Sequence, residues 1–148
     1  DERLLDLPEQ SWPTQALYID CTRAAAAVSP ALLPSALHAL EHTLIGLLPA
    51  FVLCERADIG GVSYPAYGPD QTPGIFIYDG HPGGVGYVRA GAQQFREWLT
   101  AARDLLISCT CRDGCPRCIY SPKCGNGNQF LDRGAARVLA DALLQGDW

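Results

Sequence analysis

Residues 108–128 read SCTCRDGCPRCIYSPKCGNGN, and five of the chain's seven cysteines fall there with the spacing C-x-C-x3-C-x2-C-x5-C. No other stretch limits the fold so strongly. Four closely spaced thiolates close a tetrahedron around a single zinc ion, each at about 2.3 Å. Cys115-Pro-Arg-Cys118, preceded by Gly114, is the tight C-x2-C loop that aims two sulfurs at one ion, and Cys124, followed by Gly125 and Gly127, offers another from a second turn. The fourth comes from Cys109 or Cys111. These stand i, i+2 where a helical pattern ends. A helical or irregular backbone sends such side chains apart, and only an extended strand puts them on one face. Cys111 is nearer the C-x2-C pair and is the expected ligand, with Cys109 packing at the helix end. The expected set is thus Cys111, Cys115, Cys118 and Cys124 around one structural zinc. Such a site has no open position at which to activate water. An iron–sulfur cluster is the other occupant that four thiolates permit.

The rest of the composition supports metal over disulfides. The start, DERLLDLPEQ, lacks the basic and apolar regions of a secretory leader. Clustered thiols without such a leader point to a reducing, intracellular setting. With 148 residues, 48% hydrophobic and 18% charged, the chain suits one domain with one core, and no apolar run is long enough to cross a bilayer. It holds no methionine, not even at position 1; the expectation is a piece of a longer protein. The net charge of −5 is uneven. Residues 1–107 carry 6 Lys+Arg against 12 Asp+Glu, whereas residues 108–148 carry 5 against 4. An acidic domain is a poor non-specific nucleic-acid binder, but the basic residues around the cysteines offer local phosphate contacts.

Hydrophobic periodicity predicts a mixed α/β fold: a small β-sheet with flanking helices and the metal-bound loop near the C-terminus. Residues 1–14 read as a linker or docking arm and residues 15–148 as the domain. ALYIDC (16–21), AFVLCER (50–56) and GIFIYD (74–79) are strand-like, placing Cys21 and Cys54 in strands as small buried hydrophobes. Residues 30–49 read as a helix, with Leu33, Leu37, Leu40, Leu44 and Leu48 on one stripe. A second helix spans about 85–107. The last starts near Asp132, its expected N-cap, and runs to Gln145. DIGG and the Pro/Gly-rich SYPAYGPDQTPG read as turn and loop.

Two further groups bear chemistry. His38 and His42 lie i, i+4 in HALEH, a spacing that suits zinc, with Asp79 or His81 as a third ligand; packing histidines are the plainer reading. YDGHPGGVGY (78–87) is a glycine-rich turn whose backbone N–H groups can face an anion. It lacks G-K-[ST] and does not match G-x-G-x-x-G. Asp79 and His81 make an acid/base pair without a nucleophile, so a structural or docking role is expected.

FIYDGHPGGVGYV, then a helix, then CTCRDGCPRCIYSPKCGNGNQFLDRGAA resembles the zinc-binding C-terminal domain of MrfA-like superfamily-two (DEAD/DEAH-box) DNA helicases. LHALEHTLIGLLP followed by DIGG is similar to that domain's first half. The resemblance covers roughly residues 15–145, and GCP-x-C-x2-SP-x-CGN-x-N is its most specific run. It implies a parent ATP-dependent helicase that moves 3′ to 5′ on single-stranded DNA and takes part in DNA repair. The ATP- and Mg2+-using motor domains would precede residue 1. It also implies a cytoplasmic, nucleoid-associated bacterial protein, and carries the family's zinc ligands onto Cys111, Cys115, Cys118 and Cys124. The fragment itself would be non-catalytic, with the motor domains and single-stranded DNA as partners. Charge and position suggest Arg112, Arg117 and Lys123 as DNA contacts. The competing readings are a metal-dependent hydrolase built on His38, His42, Asp79 and His81, and a protein-interaction module.

Overall fold

The computed structural model describes residues 7–146; the first six residues of the expected arm lie outside the described part. In chain order the elements are β1 (Ala16–Asp20), α1 (Leu33–Leu47), β2 (Ile59–Tyr67), β3 (Thr72–Asp79), α2 (Tyr87–Ala92), α3 (Phe95–Ser108) and α4 (Arg133–Leu144), with short 3₁₀ turns at Ala24–Ala27, Leu48–Ala50 and Arg56–Asp58. The architecture is mixed α/β, as expected.

The strands form an antiparallel sheet in the order β1-β3-β2. Alternation along β3 decides which face is covered. Ile75, Ile77 and Asp79 are fully buried, and Ile19 of β1 and Ile59 of β2 join them in register. Against this face lies α1, which contacts β2 and β3 on one side and α3 and α4 on the other. Its apolar stripe faces the core: Leu37, Leu40 and Leu44 are buried, with Leu48 just beyond, and Glu41, His42 and Thr43 are buried among them. Trp98 of α3 closes the core and donates its indole N–H to Leu44 O at 2.9 Å.

Two expectations about strands fail together. Residues 50–56 form no strand: Leu53 is 98% exposed, and Cys54 is half-buried in an irregular turn. The second strand is instead β2, IGGVSYPAY, drawn from the segment read as turn and loop. Its glycines are there for space. A Cβ at Gly60 would sit 2.4 Å from the Tyr78 ring, and one at Gly61 would sit 2.7 Å from Ile45 Cδ1. Pro65 is tolerated because β2 is an edge strand, and the register breaks between Tyr64 and Tyr67. Cys21 lies just after β1, fully buried, and burial pushes its thiol up to about 12.

The long second helix is also broken, into α2 and α3, at Gln93 and Gln94. A Cβ at Gly91 would meet Leu48 Cδ1 at 2.6 Å, so α2 touches the core through its backbone. Gln94, off helical geometry at φ −125 and ψ 36, donates from its side chain to Phe51 O at 3.1 Å. The last helix starts as expected: Asp132 accepts from Ala135 N at 2.7 Å.

Candidate metal centre

The C-terminus of α3 sets the geometry. Leu105 and Leu106 pack inward up to Ser108, and at Cys109 the backbone turns extended, with φ −67 and ψ 127. In extended chain, residues i and i+2 share a side. Cys109 and Cys111 therefore point the same way, and their sulfurs stand 3.6 Å apart. Cys115 and Cys118 come from the next turn, which the Cys118 N–H closes onto Cys115 O at 3.1 Å. Three further separations are 3.6 Å for Cys109–Cys115, 3.6 Å for Cys111–Cys118 and 3.7 Å for Cys115–Cys118.

These distances bear on the occupant. A disulfide needs sulfurs at about 2.0 Å, whereas four thiolates at 2.3 Å from a tetrahedral zinc stand about 3.8 Å from one another. The cluster fits the second case. Zinc would be held by Cys109, Cys111, Cys115 and Cys118, with Cys118 buried and Ile119 beside it in the core. The thiols differ in how readily they ionise. The backbone N–H of Cys111 holds the Cys109 thiol down to about 6, whereas burial pushes Cys118 up to about 12. A dication is what lets all four ionise together. Arg133, at the start of α4, donates to Cys109 O and to Cys111 Sγ, the latter at 3.5 Å. The centre thereby joins the end of α3 to the start of α4.

Cys124, expected as the fourth ligand, lies elsewhere. Its loop is closed by Asn128, whose side chain accepts from Ser121 N at 2.7 Å and donates to Ser121 O at 3.0 Å. The closed turn carries Cys124 to α1, where its sulfur stands 3.6 Å from His38 Nε2. His42 sits one helical turn on, its ring centroid 4.4 Å from that of His38. Burial holds the His42 imidazole down to about 4, so the ring is neutral at pH 7. Cys109, which the spacing argument set aside, is the thiol that stands with Cys111, Cys115 and Cys118. The signal that would have found it is the helix stop: a chain leaving a helix in extended geometry puts i and i+2 together.

Asp79 and His81 do not join the histidines of α1. The buried Asp79 carboxylate accepts from four backbone N–H groups, those of Val85, Gly86, Tyr87 and Val88, at 2.7–3.2 Å. The glycine-rich loop does present its amides to an anion, but that anion is the chain's own. Gly86, at φ 95, makes the turn that aligns them. His81 pairs instead with Asp58 at 3.1 Å. The proposed hydrolase set is therefore split across separate places. On the same loop, Thr14 Oγ donates to Asp79 O at 2.7 Å and Gly83 N donates to Pro13 O at 2.7 Å, so the end of the expected arm docks here. Of the basic residues, Arg112 is 94% exposed beside Asp113, and Arg117 is exposed. Lys123 Nζ donates to Ala57 O at 2.9 Å and to Ile59 O at 3.4 Å. Among the described residues no helix is long and apolar enough to cross a membrane.

Comparison with known proteins supports the metal reading. Residues 40–119 match the family model of the MrfA Zn-binding domain, a span that holds Cys109, Cys111, Cys115 and Cys118. Uncharacterized protein MJ1572.1 of Methanocaldococcus jannaschii is 39% identical over 111 residues, covering 73% of this chain and 99% of that protein. The ATP-dependent helicase YprA of Bacillus subtilis is 31% identical over 115 residues, 78% of this chain but 15% of the helicase. The ATP-dependent helicase hrq1 of Schizosaccharomyces pombe is 31% identical over 125 residues, 74% of this chain and 12% of its own length. Among solved structures, a crystal structure of the DUF1998 helicase MrfA bound to DNA superposes with a TM-score of 0.75 at 27% identity, covering 94% of this chain and 18% of that one. The same helicase bound to DNA and AMPPNP gives a TM-score of 0.62 at 28% identity. The chain thus spans nearly all of the archaeal relative and a small part of each helicase. On the combined weight of the family match, the shared fold and the four gathered thiols, the chain belongs to the MrfA zinc-binding domain family.

Proposed function

We propose that this chain serves as the zinc-stabilised accessory domain of an ATP-dependent 3′-to-5′ DNA helicase acting in DNA repair in the cytoplasm. The observation that carries the reading is its superposition on one region of a helicase solved with DNA. The ATP- and Mg2+-dependent motor is supplied by other domains, and residues 15–148 make no catalytic contribution. A four-thiolate zinc has no position left for substrate, so the metal's work is to fix the segment between α3 and α4. One zinc sits on Cys109, Cys111, Cys115 and Cys118, with Cys109 in the place first expected for Cys124.

Single-stranded DNA is the proposed ligand, and the exposed Arg112 and Arg117 are its phosphate contacts. Lys123 serves more as an anchor for its loop, since its amine already meets two backbone carbonyls. Fluorescence anisotropy with labelled single-stranded DNA across a salt series tests this. Changing Arg112→Ala or Arg117→Ala should weaken binding similarly for all sequences and lower the salt slope by about 1 each. Binding that ignores salt and both substitutions would remove the DNA role and leave docking to the motor domains.

A further inference from the structure

Outside the four-thiol cluster, the described residues hold one more group of metal-ligating side chains: His38 and His42 of α1 and Cys124 of the following loop, with one ligand atom of each within 4.8 Å of the others. We propose that these three residues form a second metal site, for a zinc-class divalent cation, with its fourth position facing the adjoining cavity. The inference stands independently of the helicase reading.

Geometry is the first support. A thiolate at 2.3 Å and an imidazole nitrogen at about 2.05 Å from a tetrahedral zinc stand about 3.6 Å apart. Cys124 Sγ and His38 Nε2 are 3.6 Å apart. The orientation of the rings is the second support. His38 Nδ1 faces Phe130 O at 3.2 Å, and His42 Nδ1 faces Ile119 O at 2.7 Å. A carbonyl can only accept, so each Nδ1 carries a proton, and in the neutral tautomer this selects, Nε2 keeps the lone pair. Metal-binding histidines are commonly held in this way, by an outer carbonyl that fixes the tautomer.

The site is also braced before any ion arrives. The i, i+4 spacing puts both rings on one face of a helix held by β2, β3, α3 and α4. The Ser121–Asn128 closure and the Lys123 amine hold the Cys124 loop in place. Two imidazoles and one thiolate select zinc or cobalt over magnesium or calcium, which prefer oxygen ligands. On binding, the Cys124 thiol gives its proton to solvent, and the ion with one thiolate keeps a single positive charge. Three protein ligands leave one position. It opens toward a cavity of about 630 Å³ lined by Trp12, Arg56, Lys123 and Asn126 as well as the ligands themselves. Arg56 Nε is buried there without a partner. An oxygen donor, water or a small anion, completes the tetrahedron.

Zinc counting on the purified chain, after dialysis against a weak chelator, tests the proposal. The wild type should hold two zinc ions, and Cys124→Ala and His38→Gln should each hold one. Both residues are only partly buried, and circular dichroism checks that the variants fold. Zinc X-ray absorption on the wild type needs no variant and should show imidazole scattering beside sulfur. A wild type with one zinc in a pure sulfur shell would overturn the proposal. So would variants that keep the full wild-type count, or a Cys124 thiol that alkylates as fast with zinc present as without it.

Discussion

At the scale of single residues, Asp79 shows how much one side chain can organise. It ends β3, points into the core and gathers four amides from the loop and the first turn of α2. A carboxylate so placed acts as an internal cap, and four amides would be left without a partner if it were removed. Asp79→Ala is expected to destabilise the fold by on the order of 3 kcal/mol, read from chemical denaturation. A loss under about 0.5 kcal/mol would mean that water replaces it at no cost. The sequence showed a strand ending in aspartate before a glycine-rich turn; it did not show that the aspartate turns back on the turn's own amides. The cysteines teach a similar lesson. Spacing alone pointed to a cysteine cluster, and three of its four thiols, Cys111, Cys115 and Cys118, were named from the sequence. That Cys109 joins them while Cys124, expected as a ligand, stands apart depends on one backbone angle at the end of α3 and on the Asn128 closure, and neither is a property of spacing.

At the scale of elements, long periodic helices were legible and the sheet was only partly so. α1 and α4 follow from leucine and alanine stripes with a proline in the first turn of one and an aspartate cap on the other. β1 and β3 follow from alternation. β2 was hidden because its glycines and proline are turn-formers by composition, while Gly60 and Gly61 serve here to let Tyr78, Ile45 and Glu41 pack against bare backbone. Residues 50–56 looked like a strand because they are apolar, yet without a neighbour to pair with they stay irregular. A paired measurement separates the two segments. Gly61→Ala should cost about 1–3 kcal/mol through the clash with Ile45. Leu53→Ser, at a side chain almost wholly in solvent, should change stability by less than about 0.5 kcal/mol. The reverse order in thermal unfolding would put the strand back at 50–56.

Across the whole molecule, the core and the metal centre carry separate loads. The sheet, α1, α3 and α4 share one apolar cluster, and the cysteine centre meets it at its border through Cys109 and Cys118. Residues 109–130 contain no helix or strand among those described, so fixing them has to be offset by something other than a backbone ladder. Metal binding is the available source. Zinc removal by a strong chelator should therefore raise amide exchange across residues 109–130 by at least tenfold, with β3 and the middle of α1 protected as before. Hydrogen-exchange mass spectrometry reads this directly, and uniform loss of protection would show that zinc holds the entire fold.

The sheet's two borders have a consequence for how the molecule behaves among its own copies. Beside β1 lies α2, and β2 is interrupted by Pro65 and its break in register. An open strand edge is a template onto which another chain can zip, and both edges here are blunted, one by a helix and one by a residue with no N–H to give. Pairing of one sheet edge onto another is thereby disfavoured. Attachment to neighbours then falls to side-chain surfaces, which evolution can tune one residue at a time.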